Sequence, residues 1–360
     1  MKKTLSQKQL FRSVKELILT TRGKIVKEVN RQLVLTYFQI GKLIVEHEQK
    51  GNVRADYASQ TLIQLSNELN KEFGKGFSVD NLENMRRFYI EYQNSETLSR
   101  KLEMPGKSSL ARKSETVSRI LSWSHYLILL RIENDDERRF YEIESARSNW
   151  SVRELQRQFD SGLFERLILS KSNKQVKQLS KKGQIISRPE DIIKDPYILE
   201  FLGLEEHHSY SEAELETAII DKLEEFLLEL GKGFFFVGRQ VRITIDEEHY
   251  WIDLVFYHRF LKCFVLIDLK IGALKPADMG QMKMYVNYYD QEVKSKEENK
   301  TIGIILCKSK KDLLVKYTLG KNENQIFVSK FKLYIPSPKD FQQLFEPEVS
   351  YGLRKEEIKP

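Results

Sequence analysis

Residues 250–290, YWIDLVFYHRFLKCFVLIDLKIGALKPADMGQMKMYVNYYD, decide the fold. Two apolar runs, 250–257 and 262–269, are rich in Val, Ile, Leu, Phe and Tyr, and a short polar break separates them. Runs of this length and composition are strands rather than helices, and their closeness predicts an antiparallel hairpin turning near 258–262. Each run carries a carboxylate inside it, Asp253 in the first and Asp268 in the second, and Lys270 follows Asp268 by two. Side chains alternate across a strand, so Asp268 and Lys270 share one face while Ile267 and Leu269 take the other. In such a hairpin Asp253 stands roughly opposite Asp268, and two carboxylates and an ammonium converge on one patch. Charge inside an apolar strand is costly unless it is paired.

Those three groups suit phosphodiester hydrolysis. Paired carboxylates hold a hard divalent cation, Mg2+ or Mn2+, that keeps several of its waters. A bound cation polarises phosphate and lowers the pKa of a bound water, and an ammonium stabilises developing negative charge. A buried ion pair between Asp268 and Lys270 is the plain alternative, and the D-x-K spacing alone does not exclude it.

The stretch resembles the PD-(D/E)XK nuclease superfamily, whose motif is an Asp on one core strand and (Asp/Glu)-x-Lys on the next. Asp253, Asp268 and Lys270 take the three positions. With LSWSHYLILLR at 121–131, NWSVRELQRQ at 149–158 and FLLELGKGFFFVGRQ at 226–240, the sequence looks more specifically like the bacterial YhcG-like family, over most of its length. One departure is Ile252, rather than Pro, before Asp253. The resemblance implies an α+β multidomain protein: an all-α N-terminal domain with a helix-turn-helix-like segment, then an α/β restriction-endonuclease-like domain with a central mixed sheet flanked by helices. It also implies site roles. Asp253, Asp268 and Glu216 would bind the metal, Lys270 would act beside it, Gln281 would face the scissile phosphate, and Gln240 would lie near the active site and contact nucleic acid.

The 360 residues suffice for two or three domains, with 41% hydrophobic residues for cores and 31% charged residues for solubility. No apolar run approaches a membrane span, and MKKTLSQKQLF has no apolar signal region, so no membrane association and no export are expected. Cys263 and Cys307 sit in apolar runs and read as reduced core thiols of a cytoplasmic protein. The six histidines show no metal spacing, the adjacent His207 and His208 included. Charge is uneven: residues 1–188 hold 35 Lys+Arg against 22 Asp+Glu, a net +13, which leaves 24 against 30, a net −6, for the rest. A basic half joined to an acidic half points to nucleic acid, DNA first, as partner of the first half. A homodimer is the oligomer to test.

Residues 1–170 read as the helical domain. Apolar residues at three- and four-residue intervals over 10–50 predict two helices with a break near Gly23. After YASQTLIQLSNELNKEF, Gly74 and Gly76 stop one helix and Ser78 caps the next. In that helix Leu82, Met85, Tyr89 and Tyr92 form the inward stripe, leaving Asn81, Asn84 and Arg87 as candidate readers of base edges. A polar loop is expected at 94–118. Arg153, Arg157 and Arg166 line a helix that faces either phosphates or solvent. Residues 171–194, basic and sparsely apolar, read as a linker, and 195–350 as the nuclease domain. Within it a helix over 212–230 is capped by Ser211, Gly238 marks a bulge in a first strand, Asp278 caps a helix over 279–290, TIGIILCK is a strand buried on both faces, and a last helix starts near Asp340. The functional expectation is a metal-dependent endonuclease acting on DNA. A catalytically silent adaptor with a nuclease fold and an RNA nuclease are the alternatives.

Overall fold

The computed structural model describes residues 7–50, 55–93, 121–168, 173–205, 210–320 and 323–336. The expected loop at 94–118, the His207–His208 pair and the terminal helix near Asp340 lie outside them. The chain divides into two compact units, 1–156 and 157–360.

The first unit is helical: α1 (Gln7–Lys50), α2 (Ala55–Phe73), α3 (Val79–Tyr92), α4 (Trp123–Leu129) and α5 (Asp135–Ser148). Gly23 does not break α1, which runs on as one helix. A single interior glycine costs a helix only about 1 kcal/mol, and no neighbouring atom crowds this one. Gly41 is different. A Cβ there would overlap the carbonyl of Met85, so α1 and α3 cross in close contact. The turn between α2 and α3 forms as the glycines require, with Gly74 and Gly76 at φ of 82° and 138° and the Ser78 hydroxyl accepting from the Asn81 N–H. The buried stripe of α3 is Leu82, Met85, Phe88 and Tyr92. Phe88 thus takes the place expected for Tyr89, because its ring is enclosed by Phe38, Tyr92, Trp123 and Tyr126. Trp123 and Tyr126 are core anchors, as their size predicts. The front half of α1 is not covered: Phe11, Val14, Ile18, Ile25 and Val29 stay exposed along one side.

The second unit begins with α6 (Val152–Asp160) from Arg157 onward, α7 (Leu163–Ile168) and α8 (Asn173–Lys182), so the segment read as a linker is itself partly helical. Its centre is a six-stranded sheet in the order β1-β6-β5-β4-β3-β2. The strands are β1 (Tyr197–Ile198), β2 (Phe234–Ile245), β3 (Glu248–His258), β4 (Cys263–Ala273), β5 (Ile302–Ser309) and β6 (Ile326–Lys332). β2, β3 and β4 pair antiparallel, and β4, β5, β6 and β1 pair parallel. β5 is buried along its apolar run, as expected. The helix expected over 212–230 is two, α9 (Glu212–Asp221) and α10 (Leu223–Leu230), separated at Lys222 with no Gly or Pro to mark the break. Leu215, Ile219, Phe226 and Leu230 pack them against Leu254, Phe256, Ile267 and Leu269. On the other face α11 (Pro276–Tyr288) lays Met279, Met282, Tyr285 and Val286 on Ile252, Val255, Leu266 and Ile305. It starts earlier than expected, because Pro276 presets the first helical φ, and Asp278 caps from inside the first turn by accepting the Lys275 N–H at 2.7 Å. Gly303 lets it approach, since a Cβ there would meet Met282 Sδ at 2.5 Å. The short α12 (Asp312–Leu319) links β5 to β6. Cys263 and Cys307 are buried and unpaired. Among the described residues no helix is long and apolar enough to cross a membrane.

The arginines at 157 and 166 face neither phosphate nor solvent. Arg166 Nη1 lies 2.6 Å from Glu229 Oε1, and Arg157 Nη2 lies 3.2 Å from Oε2. Lys194 holds the Glu229 carbonyl, and the Ile198 N–H donates to Glu229 Oε1 at 3.0 Å. Glu229 is fully buried. Burial pushes its carboxyl up, but Arg166, Lys194 and Arg157 outweigh that and bring it down to about 2. This network ties the segment before the sheet to α10.

Candidate active site

The hairpin turns at 259–262 as the sequence predicts, and buried His258 secures it: Nδ1 accepts the Leu261 N–H at 3.1 Å, and Nε2 sits 3.0 Å from the Lys232 carbonyl. From there β3 and β4 pair as far as Leu254 and Ile267. One residue further, at Asp253 and Asp268, the ladder opens. The Asp253 carboxylate fills the opening: Oδ2 accepts the Leu269 N–H at 2.8 Å. Asp268 and Lys270 alternate with Ile267 and Leu269, which are buried in the core against Leu215 and Ile219. The alternation that fills the core therefore also sets the motif on the other face.

Lys270 Nζ stands 2.8 Å from Asp268 Oδ2 and 3.6 Å from Glu212 Oε2. Asp268 is only 2% exposed, and its Oδ2 receives no well-directed hydrogen bond despite that short ion-pair distance. Burial first, and the Asp253 charge second, push its carboxyl up to about 7 against the pull of Lys270. The Lys270 ammonium is held above the usual lysine range, because Asp268, Glu212 and Asp253 outweigh the cost of its burial.

Gln240 completes the arrangement from β2. The bulge expected at Gly238 is present, as a register shift between Phe236 and Gly238. Two residues on, Gln240 takes a left-handed φ of 44°, a conformation that a side chain with a Cβ adopts at a cost of about 1–2 kcal/mol. Its Nε2 donates to Glu216 Oε2 at 2.5 Å and to Asp253 Oδ1 at 3.1 Å, so one amide joins two acids. The Glu216 carboxyl is raised by burial and by Asp253, with the Gln240 bond opposing. Gln281 hydrogen-bonds the Tyr285 hydroxyl one helical turn away. That hydroxyl donates to the Trp251 carbonyl at 3.0 Å and is pushed up to about 12 by burial and by Asp268 and Asp253. Asp253, Asp268, Lys270, Glu216 and Gln240 thus lie on one continuous cluster, and Gln281 stands on the facing helix, joined to Tyr285. Sequence reading missed Glu212 and Tyr285. Each has a signal in hindsight, standing four residues from Glu216 and from Gln281 on the same helix face.

The site's fit to a divalent cation rests on its donors. Among the described residues no three His, Cys, Asp or Glu side chains are gathered into a ready-made cage. Mg2+ does not need one, since it commonly takes one or two carboxylates and keeps waters for the rest. Asp253 and Asp268 supply that pair, and a cation between them would relieve their repulsion and satisfy the poorly served Asp268 Oδ2.

Of the residues expected to read bases, two make contacts within the helical unit. Asn81 gives its amide to the helical unit itself: Nδ2 donates to the Gly76 carbonyl at 2.6 Å, and Oδ1 accepts from Trp123 Nε1 at 2.9 Å. Arg87 Nη2 donates to the Leu130 carbonyl at 2.9 Å. Both therefore hold the turn and its neighbours, because a turn between helices leaves backbone carbonyls that need donors. Asn84 is half-buried on the same helix.

Comparison with known proteins agrees with this geometry. Residues 190–346 match the family described as the YhcG PDDEXK nuclease domain, and residues 13–166 match the DUF1016 N-terminal domain. The chain is 37% identical over 349 residues to "Putative nuclease YhcG" of Escherichia coli (strain K12), covering 93% of this chain and 92% of that protein. Two solved structures resemble part of it. A repair endonuclease from Pyrococcus abyssi is 20% identical over 36% of this chain and 50% of its own, with a TM-score of 0.25. EndoMS in its apo form is 19% identical over 34% and 47%, with a TM-score of 0.24. Joining a DUF1016 N-terminal domain to a PD-(D/E)XK nuclease domain, and matched along nearly its whole length, the chain belongs to the YhcG family.

Proposed function

We propose that this protein is a divalent-cation-dependent endonuclease that hydrolyses phosphodiester bonds in DNA. The observation that carries the reading is the convergence of Asp253, Asp268 and Lys270 at the point where the β3–β4 ladder opens. Asp253 and Asp268 would hold Mg2+ or Mn2+, with Glu216 joining directly or through a water; when bound, the cation supplies charge relief on the phosphate and a more acidic water. The chain's own groups account for the rest. Lys270 Nζ orients the attacking water and stabilises charge that grows on the phosphate oxygens. Gln240 keeps Glu216 and Asp253 from separating under their mutual repulsion. Gln281 offers its amide to the phosphate from the facing helix, and Tyr285 braces it from one turn on. The net +13 of residues 1–188 supplies affinity for the polyanion, so binding weakens steeply with salt as counterions are released.

The test incubates the purified full chain with plasmid, linear duplex, branched DNA and RNA, each with Mg2+, Mn2+ or EDTA, beside an Asp268→Asn variant. Cation-dependent cutting of DNA by the parent and none by the variant is the expected result. Cutting that persists in EDTA, or in the variant, would show that this cluster is not the catalytic one.

A further inference from the structure

The β2–β3 ribbon has two unlike faces. Register pairs Ile243 with Tyr250 and Val241 with Ile252, and these four lie on the core under α11. The alternate residues form the other face: Arg242 opposite Trp251, and Thr244 opposite His249. Gln240, next in that row from β2, reaches across to Asp253. A row of side chains thus runs from Gln240 and Asp253 outward to the turn at Asp246 and Glu247, on the sheet face away from α11. Trp251 is 49% exposed in it. Its Cα lies two residues, or about 7 Å, from that of Asp253. Its backbone is anchored, and one ring neighbour lies beside the indole. The Tyr285 hydroxyl ties down its backbone carbonyl at 3.0 Å, and the His249 ring meets it edge-on at 6.2 Å. His249 is itself fixed by Thr244, with Oγ1 and Nδ1 3.0 Å apart.

A large aromatic ring left half in water, flanked by the His249 ring and paired in the ladder with Arg242, is a platform for a nucleobase. Base–aromatic stacking is tolerant of sequence and needs a base whose face is free, while Arg neutralises the neighbouring phosphate. Bases within a closed duplex present no free face to the indole. We propose that Trp251 and Arg242, buttressed by His249, form a subsite for an unpaired nucleotide beside the scissile phosphate. The enzyme then favours single-stranded, flapped or frayed DNA over a fully paired duplex. This rests on the nuclease reading for the place of the phosphate, but binding at the subsite can be measured without cleavage.

The experiment uses the full chain as parent, Trp251→Ala, Trp251→Phe and Arg242→Ala, with melting temperatures as the folding control. Binding of an oligothymidylate and of a blunt duplex of equal length is followed in EDTA by anisotropy and by tryptophan emission. Loss of the indole should weaken oligothymidylate binding roughly 5- to 150-fold. Trp251→Phe should keep most of the affinity, Arg242→Ala should weaken binding and flatten its salt dependence, and duplex binding should change less than about twofold with Trp251→Ala. Quenching of emission by oligothymidylate should vanish in Trp251→Phe, although Trp123 and Trp150 remain. Trp251→Ala binding oligothymidylate like the parent, or losing equally on both ligands, overturns the subsite. Cleavage with Mg2+ is scored separately. A parent that binds through Trp251 yet cuts nothing refutes the nuclease reading and leaves the subsite standing, whereas a parent that cuts, matched by Trp251→Ala in binding and rate, refutes the subsite alone.

Discussion

Gln240 should trade stability against activity. Its backbone sits at φ 44°, and its amide bridges Glu216 and Asp253. Gln240→Gly removes the amide and the strain together, whereas Gln240→Ala removes the amide and keeps the strain. Relief of a left-handed φ is worth about 1–2 kcal/mol, offset by about 0.5–1 kcal/mol for the extra freedom of glycine in the unfolded chain. The two lost bonds are to an exposed amide and contribute on the order of 1 kcal/mol each to folding. The glycine variant should therefore lose about 0.5–2 kcal/mol and melt about 1–8 °C below the parent, and the alanine variant lower than the glycine one. Activity should behave otherwise. A hydrogen bond to a charged group is worth about 1.5–3 kcal/mol, so losing the contact that holds two acids in place should lower kcat roughly 10- to 150-fold in both variants. The assay pairs plasmid-cleavage rates in Mg2+ with thermal melts of the same preparations. Gln240→Gly cutting at the parent's rate, or Gln240→Ala melting above Gln240→Gly, would refute the reasoning.

Three further outcomes are expected. Lys270→Ala and Lys270→Arg should each lower cleavage by about 100-fold or more while DNA binding by gel shift persists, because a planar guanidinium cannot replace a compact ammonium 2.8 Å from Asp268; an active Lys270→Arg would count against the role given to the ammonium. Glu229→Gln leaves Arg166 and Arg157 without their buried counter-charge and should cost about 3–5 kcal/mol in denaturant unfolding. Since the folded Glu229 carboxyl lies near 2 and its ordinary value is 4.5, the stability it adds is complete above about 4.5 and drains away as pH falls towards 2; that loss should be absent in Glu229→Gln. Phe11, Val14, Ile18, Ile25 and Val29 leave one side of α1 apolar and uncovered. Leu10 and Leu17 flank that stripe on one side and Leu19 and Val26 on the other, so this half of the helix offers a second copy an apolar strip along its length. Sedimentation should show a dimer that Ile18→Glu with Ile25→Glu splits, and a parent monomeric at tens of micromolar would dismiss it.

The hairpin was legible because its signal is local. Apolar composition makes the strands, alternation puts Asp268 and Lys270 on one face, and the break at 258–262 sets Asp253 across from them. What could not be read depends on partners distant in sequence or on backbone detail. The stripe of α3 shifted to Phe88 because Phe38 of α1 and Trp123 and Tyr126 of α4 close around it, with Tyr92 one turn along α3. Asn81 and Arg87 have base-reading chemistry, and their contacts with Gly76, Trp123 and Leu130, all but one distant in sequence, could not be read from the chain. Arg166 stays open between phosphate and solvent in the sequence because its counter-ion, Glu229, stands 63 residues away. Gln240 was placed near the site by resemblance, yet nothing in the residue type announces a left-handed φ or a bridge between two acids. The break at Lys222 has no sequence mark, whereas the early start of α11 at Pro276 has one that is plain once Asp278 is read as an inside cap.

The nuclease unit contains two buried charge clusters that look alike as sequence, and their degree of satisfaction separates them. Around Glu229 two arginines and a backbone N–H meet one carboxylate, Lys194 adds its charge from the carbonyl of the same residue, and the ionised form is held far down the pH scale. Such a network has no capacity left for a ligand; it fixes the segment before the sheet to α10. Around Asp268 the balance is reversed. One ammonium faces Asp268, Asp253 and Glu212, and the amide of Gln240 serves Asp253 and Glu216 at the cost of backbone strain. Two acids in that cluster are pushed upward, Asp268 as far as about 7. Native structures do not leave buried polar groups short of partners without a reason, and shortage next to strain is a mark of function. The excess of negative charge at the open end of the β3–β4 ladder asks for a cation, and a cation held there by carboxylates still has positions for the oxygens of a phosphate. The same chain thus uses buried charge twice, closed where it needs rigidity and open where it needs chemistry.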